Sequence, residues 1–280
     1  MIGQLIKTSL IIQICVISFL GSFADTFAAE KWTISSSLQY STGNYVFDQN
    51  TSTFYLYGGL RYQSDKWSLF TSIPLISQNS DLVTGSGGAF FPSTHHDSGE
   101  PGSSHHGGNM AGGNGMANMT TGLGDLYLSA AYQVLSNDKR QPYIAANLRI
   151  KAPTAGTENG FGSGEFDYGA SLTVRKRFQS YIAVAEVGFW VLGDPAGITY
   201  KDPLVFGIGA GKFFNREQTG LLIYYQNYST ILNGLEPIRQ VSLGLNHQLR
   251  AGIMLTAIGL AGLSETTPDF SFSSGLEWAL

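Results

Sequence analysis

From residue 31 to the C-terminus, apolar and polar positions alternate with a period of two over stretches of about 10–13 residues, each bounded by turn residues. In FDYGASLTVRKRF (166–178), Asp167, Gly169, Ser171, Thr173, Arg175 and Arg177 occupy one face. Tyr168, Ala170, Leu172, Val174, Lys176 and Phe178 occupy the other. Lys176 interrupts the apolar set only near the strand end, where a long side chain reaches the interface. The same pattern predicts strands at 31–41, 52–63, 66–77, 123–135, 142–152, 166–178, 181–192, 204–214, 218–229, 238–247, 250–263 and 268–280. Twelve strands is an even number, as single-chain bacterial barrels have. Short gaps (64–65, 136–141, 179–180, 215–217, 248–249) alternate with longer ones (42–51, 78–122, 153–165, 193–203, 230–237, 264–267).

The expected fold is therefore all-β: a transmembrane antiparallel up-and-down barrel of 12 strands, both termini periplasmic, in the bacterial outer membrane. After residue 29 no segment reaches 18 consecutive apolar residues, which excludes spanning by helices. A soluble sandwich would need polar outer faces, whereas most strands here carry one apolar face. Trp32, Tyr40, Trp67, Tyr132, Phe178, Tyr181, Phe213 and Trp278 lie near strand ends, where aromatic girdles meet the headgroups. The last strand, DFSFSSGLEWAL, aligns Phe270, Phe272, Leu276, Trp278 and Leu280 on one face. Such a strand is expected to engage the outer-membrane assembly machinery, although Leu280 stands where Phe is usual.

Composition narrows this further. Only 13% of residues are charged, 35 are Gly, and the net charge of −4 argues against nucleic acid as a partner. Residues 1–29 read as a cleaved signal peptide: Lys7, an apolar run over 8–20, then small residues at Ala24, Thr26, Ala28 and Ala29. That run is too short to span a bilayer and holds the only cysteine, Cys15. Residues 30–280 then form one barrel without disulfides.

If the apolar faces meet lipid, the opposite faces line the lumen. They carry Asp125, Tyr127, Ser129 and Gln133, then Tyr143, Asn147, Arg149 and Lys151, then Asp167, Arg175, Arg177 and Glu186. Acids and bases fall on neighbouring strands and can pair across the sheet. Two readings stay open: Asp125, Arg149, Lys151, Asp167, Arg175, Arg177 and Glu186 form a solute-selecting constriction, or a paired plug in a narrow lumen. Both signs are present, so neither anion nor cation selectivity is implied.

The stretches 122–134 and 148–178 resemble the outer-membrane transporter family named for the meta-pathway of phenol degradation. The shared residues are Gly122, Gly124 and Asp125, then Lys151, Pro153, Thr154 and Ala155, then Gly162, Gly164 and Asp167, with Ala155 where Gly is usual. The resemblance implies a porter for small solutes, aromatic or hydrophobic compounds among them. A lesser likeness to long-chain fatty acid channels lacks their N-terminal hatch.

Enzymatic readings find little. A barrel lipase needs Ser and His on the lipid-facing surface, and the one strand-associated histidine, His247, falls at an expected turn. GIGAGKF (207–213) lacks phosphate-loop spacing, with Phe213 where a metal-binding hydroxyl would stand. The expectation is a non-enzyme that requires no cofactor.

One stretch stands apart. Loop 78–122, expected to be extracellular, contains STHHDSGEPGSSHHGGNMAGGNGMANM (93–119), with four of the five histidines and three of the five methionines. His95, His96, His105 and His106 suit copper or zinc, and Met110, Met116 and Met119 suit a soft ion such as Cu(I). The pattern fits a wrapping transition-metal site, and equally a flexible hydrophilic lid. A non-transporting barrel that only anchors this loop is the alternative to a porter.

Overall fold

The computed structural model describes residues 31–45, 50–79, 83–86, 89–92, 119–136, 141–157, 160–195 and 197–280. Its strands are β1 (Lys31–Gly43), β2 (Thr51–Gln63), β3 (Trp67–Gln78), β4 (Val83–Ser86), β5 (Ala89–Pro92), β6 (Thr120–Leu123), β7 (Leu126–Leu135) and β8 (Tyr143–Ala152). They continue as β9 (Asp167–Phe178), β10 (Tyr181–Val191), β11 (Leu204–Phe214), β12 (Thr219–Tyr228), β13 (Arg239–Arg250), β14 (Ile253–Gly262) and β15 (Phe270–Ala279). β6 and β7 are two halves of one barrel strand, and β4 and β5 form a separate hairpin, which leaves twelve barrel strands. Each pairs antiparallel with its neighbour, and β1 closes on β15 from Thr33↔Ala279 to Thr42↔Phe270. Closure pairs the backbone polar groups within the sheet, the condition for a strand structure in lipid. Among the described residues no helix is long and apolar enough to cross a membrane.

The strand pattern corresponds closely to the alternation in the sequence. On β9 the even-numbered Tyr168, Leu172 and Val174 are exposed outward while Asp167 and Arg175 are buried inward. Leu38, Leu148, Val187, Ile208, Ile223 and Leu243 extend the outward apolar surface around the barrel. In water such a belt would be an aggregation surface; in lipid it is solvated. Trp32, Trp67, Phe178, Tyr181 and Trp278 are exposed near its rims, with Trp32 against Tyr62 and Trp67 against Tyr132 across neighbouring strands.

Four local differences have physical causes. Phe213, expected in the girdle, points into the barrel, and Phe214 takes the outward position. The turn expected at 248–249 lies at 251–252, because a bulge between Gln248 and Arg250 lengthens β13 and Gly252 supplies φ +79°. His247 is therefore inside β13, its Nδ1 2.9 Å from Thr219 Oγ1, and not at a turn. Loop 78–122 contains the β4–β5 hairpin and the β6 half-strand. The fourth barrel strand, read as continuous, breaks at Gly124-Asp125. Ser72↔Tyr127 and Leu75↔Leu123 enclose two residues of β3 against three of its partner, a bulge opposite Pro74. Gly124 N–H still donates to Pro74 O (2.8 Å), but Leu126 N–H turns to Thr154 Oγ1 (2.9 Å).

The expectation of a polar lumen also holds for only part of the wall. β1 and β15 turn serines and Gln39 inward, with Gln39 Nε2 donating to Ser41 Oγ (2.8 Å) and Ser271 Oγ (3.1 Å). β10, β11, β12 and β14 place Ile182, Val184, Phe213, Leu222, Tyr224, Ile258 and Leu260 inside as one apolar cluster. Along these stretches of β10, β11, β12 and β14 both faces are apolar, so periodicity alone cannot assign the inner one, whereas β13 turns Gln240, Ser242 and Asn246 inward. Loops 192–203 and 229–238 cover the long-loop end above this wall, burying Tyr200 and Ile231 against Trp190, Val205, Tyr228 and Ile238.

Candidate functional site: polar tiers along the lumen

The charged residues of β7–β10 are arranged in tiers along the barrel. At the long-loop end, Lys151 of β8 is in register with Asp167 of β9. Its Nζ lies 2.9 Å from Asp167 Oδ2 and 3.5 Å from Asp125 Oδ2, and donates to Ser163 Oγ. Lys151 and Asp167 are 0% exposed and Asp125 is 2% exposed. Loop backbone completes the node: Ala155 N–H donates to Asp125 Oδ1 (3.0 Å) and Gly193 N–H to Asp167 Oδ1 (3.0 Å). A Cβ on Gly162 would stand 2.7 Å from Asp125 Oδ1, which accounts for glycine there. The spaced residues that carried the family resemblance thus come together in space. Asp125 sits at the strand break, Thr154 and Ala155 satisfy backbone and carboxylate beside it, and Gly162 makes room. Phe161 of the same loop packs on Tyr55, Tyr57 and Ile76.

Midway along the barrel, Arg149 Nη2 lies 3.0 Å from Glu186 Oε1, and Tyr224 Oη donates to Glu186 Oε2 (3.2 Å). Tyr224 reaches β10 from β12 by lying across the intervening β11, where Gly207 would place a Cβ 1.9 Å from its hydroxyl. Toward the short-turn end, the Arg175 guanidinium carbon lies over the Tyr143 ring, 4.2 Å from its centroid. Arg149, Arg175 and Glu186 border one lumen cavity of about 80 Å³, together with Lys66 of the β2–β3 turn, Tyr143 and Asn147. Asn147 Nδ2 is held by Thr173 Oγ1 (2.9 Å) and Ser171 Oγ (3.1 Å).

Arg177 stands apart at the short-turn rim. It pairs with Glu217, Nη1 donating to Oε2 at 2.9 Å, and lies over Phe213. The Arg177 hydrogen bonds hold the Glu217 carboxyl below its usual range. In the long-loop cover, burial pushes the Tyr200 hydroxyl well above its ordinary value.

The seven charged residues read from the sequence therefore divide among a sealed node (Asp125, Lys151, Asp167), a cavity wall (Arg149, Arg175, Glu186) and a rim pair (Arg177). Sequence reasoning missed Lys66, which had been assigned to a strand start, and the ion pair Arg61–Glu277 (3.2 Å). The latter spans β1, and Glu277 sits on a strand read for its apolar face. Of the candidate metal ligands, His95, His96, His105, His106, Met110 and Met116 lie outside the described residues; Met119 Sδ accepts a hydrogen bond from Ser77 Oγ at 3.7 Å. Among the described residues no group of three or more His, Cys, Asp or Glu side chains is placed to hold a metal ion.

The fold is similar to that of the COG4313 outer membrane channel from Pseudomonas putida F1, at TM-score 0.65 and 13% identity over 93% of this chain and 98% of that one. It is also similar to the KdgM porin, at TM-score 0.50 and 7% identity over 88% and 98% of the two chains. The Pseudomonas putida toluene transporter TodX aligns over 90% of each chain at TM-score 0.43 and 13% identity, too distant to carry an argument. No protein-family model and no curated protein matches the chain. Closed twelve-stranded architecture and a lipid-facing apolar belt make this an integral protein of the bacterial outer membrane.

Proposed function

We propose that this barrel is a passive outer-membrane channel for small solutes that carry both an apolar body and a polar group. The observation behind this is the two-sided lumen. β8–β10 offer Arg149, Arg175 and Glu186 around a cavity, and beside them β10, β12 and β14 turn Ile182, Val184, Leu222, Tyr224, Ile258 and Leu260 inward. A purely aqueous pore has no use for such a wall, and a purely apolar conduit has no use for the ions. The similarity of fold to two channels supports the same reading. Membership in the phenol meta-pathway family, with aromatic compounds as solutes, fits it. In this reading the short turns and both termini face the periplasm, the C-terminal strand is the assembly signal, and loop 78–122 faces outward. Its histidines and methionines then bind copper or zinc and act as a metal-responsive lid.

The test is single-channel current from the folded chain in a planar bilayer, before and after micromolar copper on the long-loop side. Steady conductance that copper reduces is expected, with the copper effect lost when His95, His96, His105 and His106 are replaced by Ala. Conductance indifferent to copper removes the metal lid and leaves the channel. One observation favours the alternative of a filled barrel anchoring the loop: the Lys151 node and the Phe161 cluster occupy the long-loop end with fully buried side chains. That alternative gives no conductance in either condition.

A further inference from the structure

We infer that the outward face of β9–β12, at its short-turn end, is a binding site for one anionic phospholipid. Its acyl chain lies in a groove over Ala183, Ala185 and Ala210, and its phosphate lies at Lys212. Such a site is outside the lumen and independent of the channel reading.

The groove follows from the sequence of outward positions. The sheet register sets Lys176, Ala183, Ala210 and Ile223 in one row across β9–β12. Val174, Ala185, Ile208 and Tyr225 form the next row toward the long loops. On the two central strands of these rows, three of four side chains are single methyl groups. The belt is hollowed there: a groove of about 620 Å³ runs between Val174 and Lys176 on one side and Ile223 and Tyr225 on the other. That volume is in the range of small-ligand sites. It opens on the lipid-facing belt, so hydrocarbon fills it, and an unfilled groove would forfeit dispersion contacts along its lining.

The row nearest the short turns holds Phe178, Tyr181 and Lys212. Lys212 Nζ lies 5.1 Å from the centroid of the Tyr181 ring and 5.3 Å from that of Phe214. Between these rings a positive charge is held at the level of the aromatic girdle. It stands one row from the groove, two residues of strand or about 7 Å, a step that the glycerol of a phospholipid bridges. In the adjoining turn, Glu217 is engaged by Arg177. Lys176, at the groove's edge, donates its Nζ to Gln141 O (2.9 Å), which leaves Lys212 as the headgroup contact. A second outward groove, of about 550 Å³ over Thr71 and Ala130, has no charged side chain in its lining. Acyl chains fill both grooves, and only the first has a cation to select a headgroup.

The experiment is native mass spectrometry of the folded full chain in detergent micelles, titrated with dioleoylphosphatidylglycerol or dioleoylphosphatidylcholine. The two lipids share their acyl chains and differ in net charge. One phosphatidylglycerol should bind about fivefold more tightly than phosphatidylcholine, the effect of one lysine at an anionic lipid surface. Added salt should narrow the gap. Lys212→Gln should remove the preference and leave phosphatidylcholine binding unchanged. Ala210→Leu fills the groove and should weaken both lipids, whereas Ala130→Leu in the second groove should leave the preference intact. Glycerol 3-phosphate, a headgroup without acyl chains, should not displace the lipid at equal concentration. Equal binding of the two lipids, or a preference that survives in folded Lys212→Gln, overturns the proposal. If Lys212→Gln does not fold, Ala210→Leu decides: phosphatidylglycerol binding as tight as in the unaltered chain overturns it.

Discussion

Strands β8 and β9 carry two charged clusters with opposite characters. Near the long loops, Lys151 and Asp167 are enclosed with Asp125, one cation against two carboxylates whose remaining oxygens accept loop N–H groups. Farther along the same strands, Arg149 and Arg175 border a cavity with Glu186 and Lys66. Side-chain type and strand periodicity are the same in both. The difference comes from what closes over each: Ala155, Ser163 and Gly193 from the long loops fold onto the first, whereas among the described residues Lys66 of the short β2–β3 turn stands beside the second. A lumen-facing charge is sealed in or left at a cavity wall according to the loop above it.

The largest expected effect separates the two clusters by stability. Lys151→Met leaves Asp125 and Asp167 buried together without their cation and should cost about 3–5 kcal/mol, measured by urea unfolding in lipid vesicles. Arg175→Gln keeps a hydrogen-bonding side chain beside Tyr143 and should cost less, about 2 kcal/mol. Equal losses would erase the distinction. Next, Gly207→Ala drives a methyl into the Tyr224 hydroxyl and should cost about 1–3 kcal/mol. Combined with Tyr224→Phe its cost should be less than additive, since both act on one contact to Glu186. Fully additive costs would mean that Tyr224 does not depend on that glycine.

A smaller effect tests the loop's part in the sealed node. Thr154→Val removes the acceptor for the Leu126 N–H and should destabilise by about 1 kcal/mol, with faster hydrogen exchange at that amide. Unchanged exchange would show that the strand break is held by other groups. The smallest effect is a pH dependence at the rim. The Glu217 carboxyl titrates below its usual range when folded, so its contribution is fully present above about pH 4.3 and fades as pH falls through the lowered folded value. Glu217→Gln should flatten only that acid limb of the stability profile.

The barrel was legible because period-two alternation and the short-long rhythm of gaps are local signals that survive all twelve strands. The inward direction of Asp125, Arg149, Lys151, Asp167, Arg175 and Glu186 followed from the same period. Which of them would meet did not. Asp125 joins Lys151 only because the strand breaks opposite Pro74 and Thr154 and Ala155 move in beside it, a tertiary event without a local code. The inward Phe213 was misassigned because Phe214 beside it is equally apolar. Lys66 looked like an ordinary strand start, and its place in the cavity depends on β7–β9 curving around to it.

The most direct measurement is the reversal potential of the folded chain in a planar bilayer under a salt gradient, compared with Arg175→Gln. A conducting pore whose ratio of anion to cation permeability falls in the variant is the result expected if solutes pass along the arginine-lined wall. A conducting pore whose reversal potential ignores Arg175, or a folded barrel that carries no current, would contradict it.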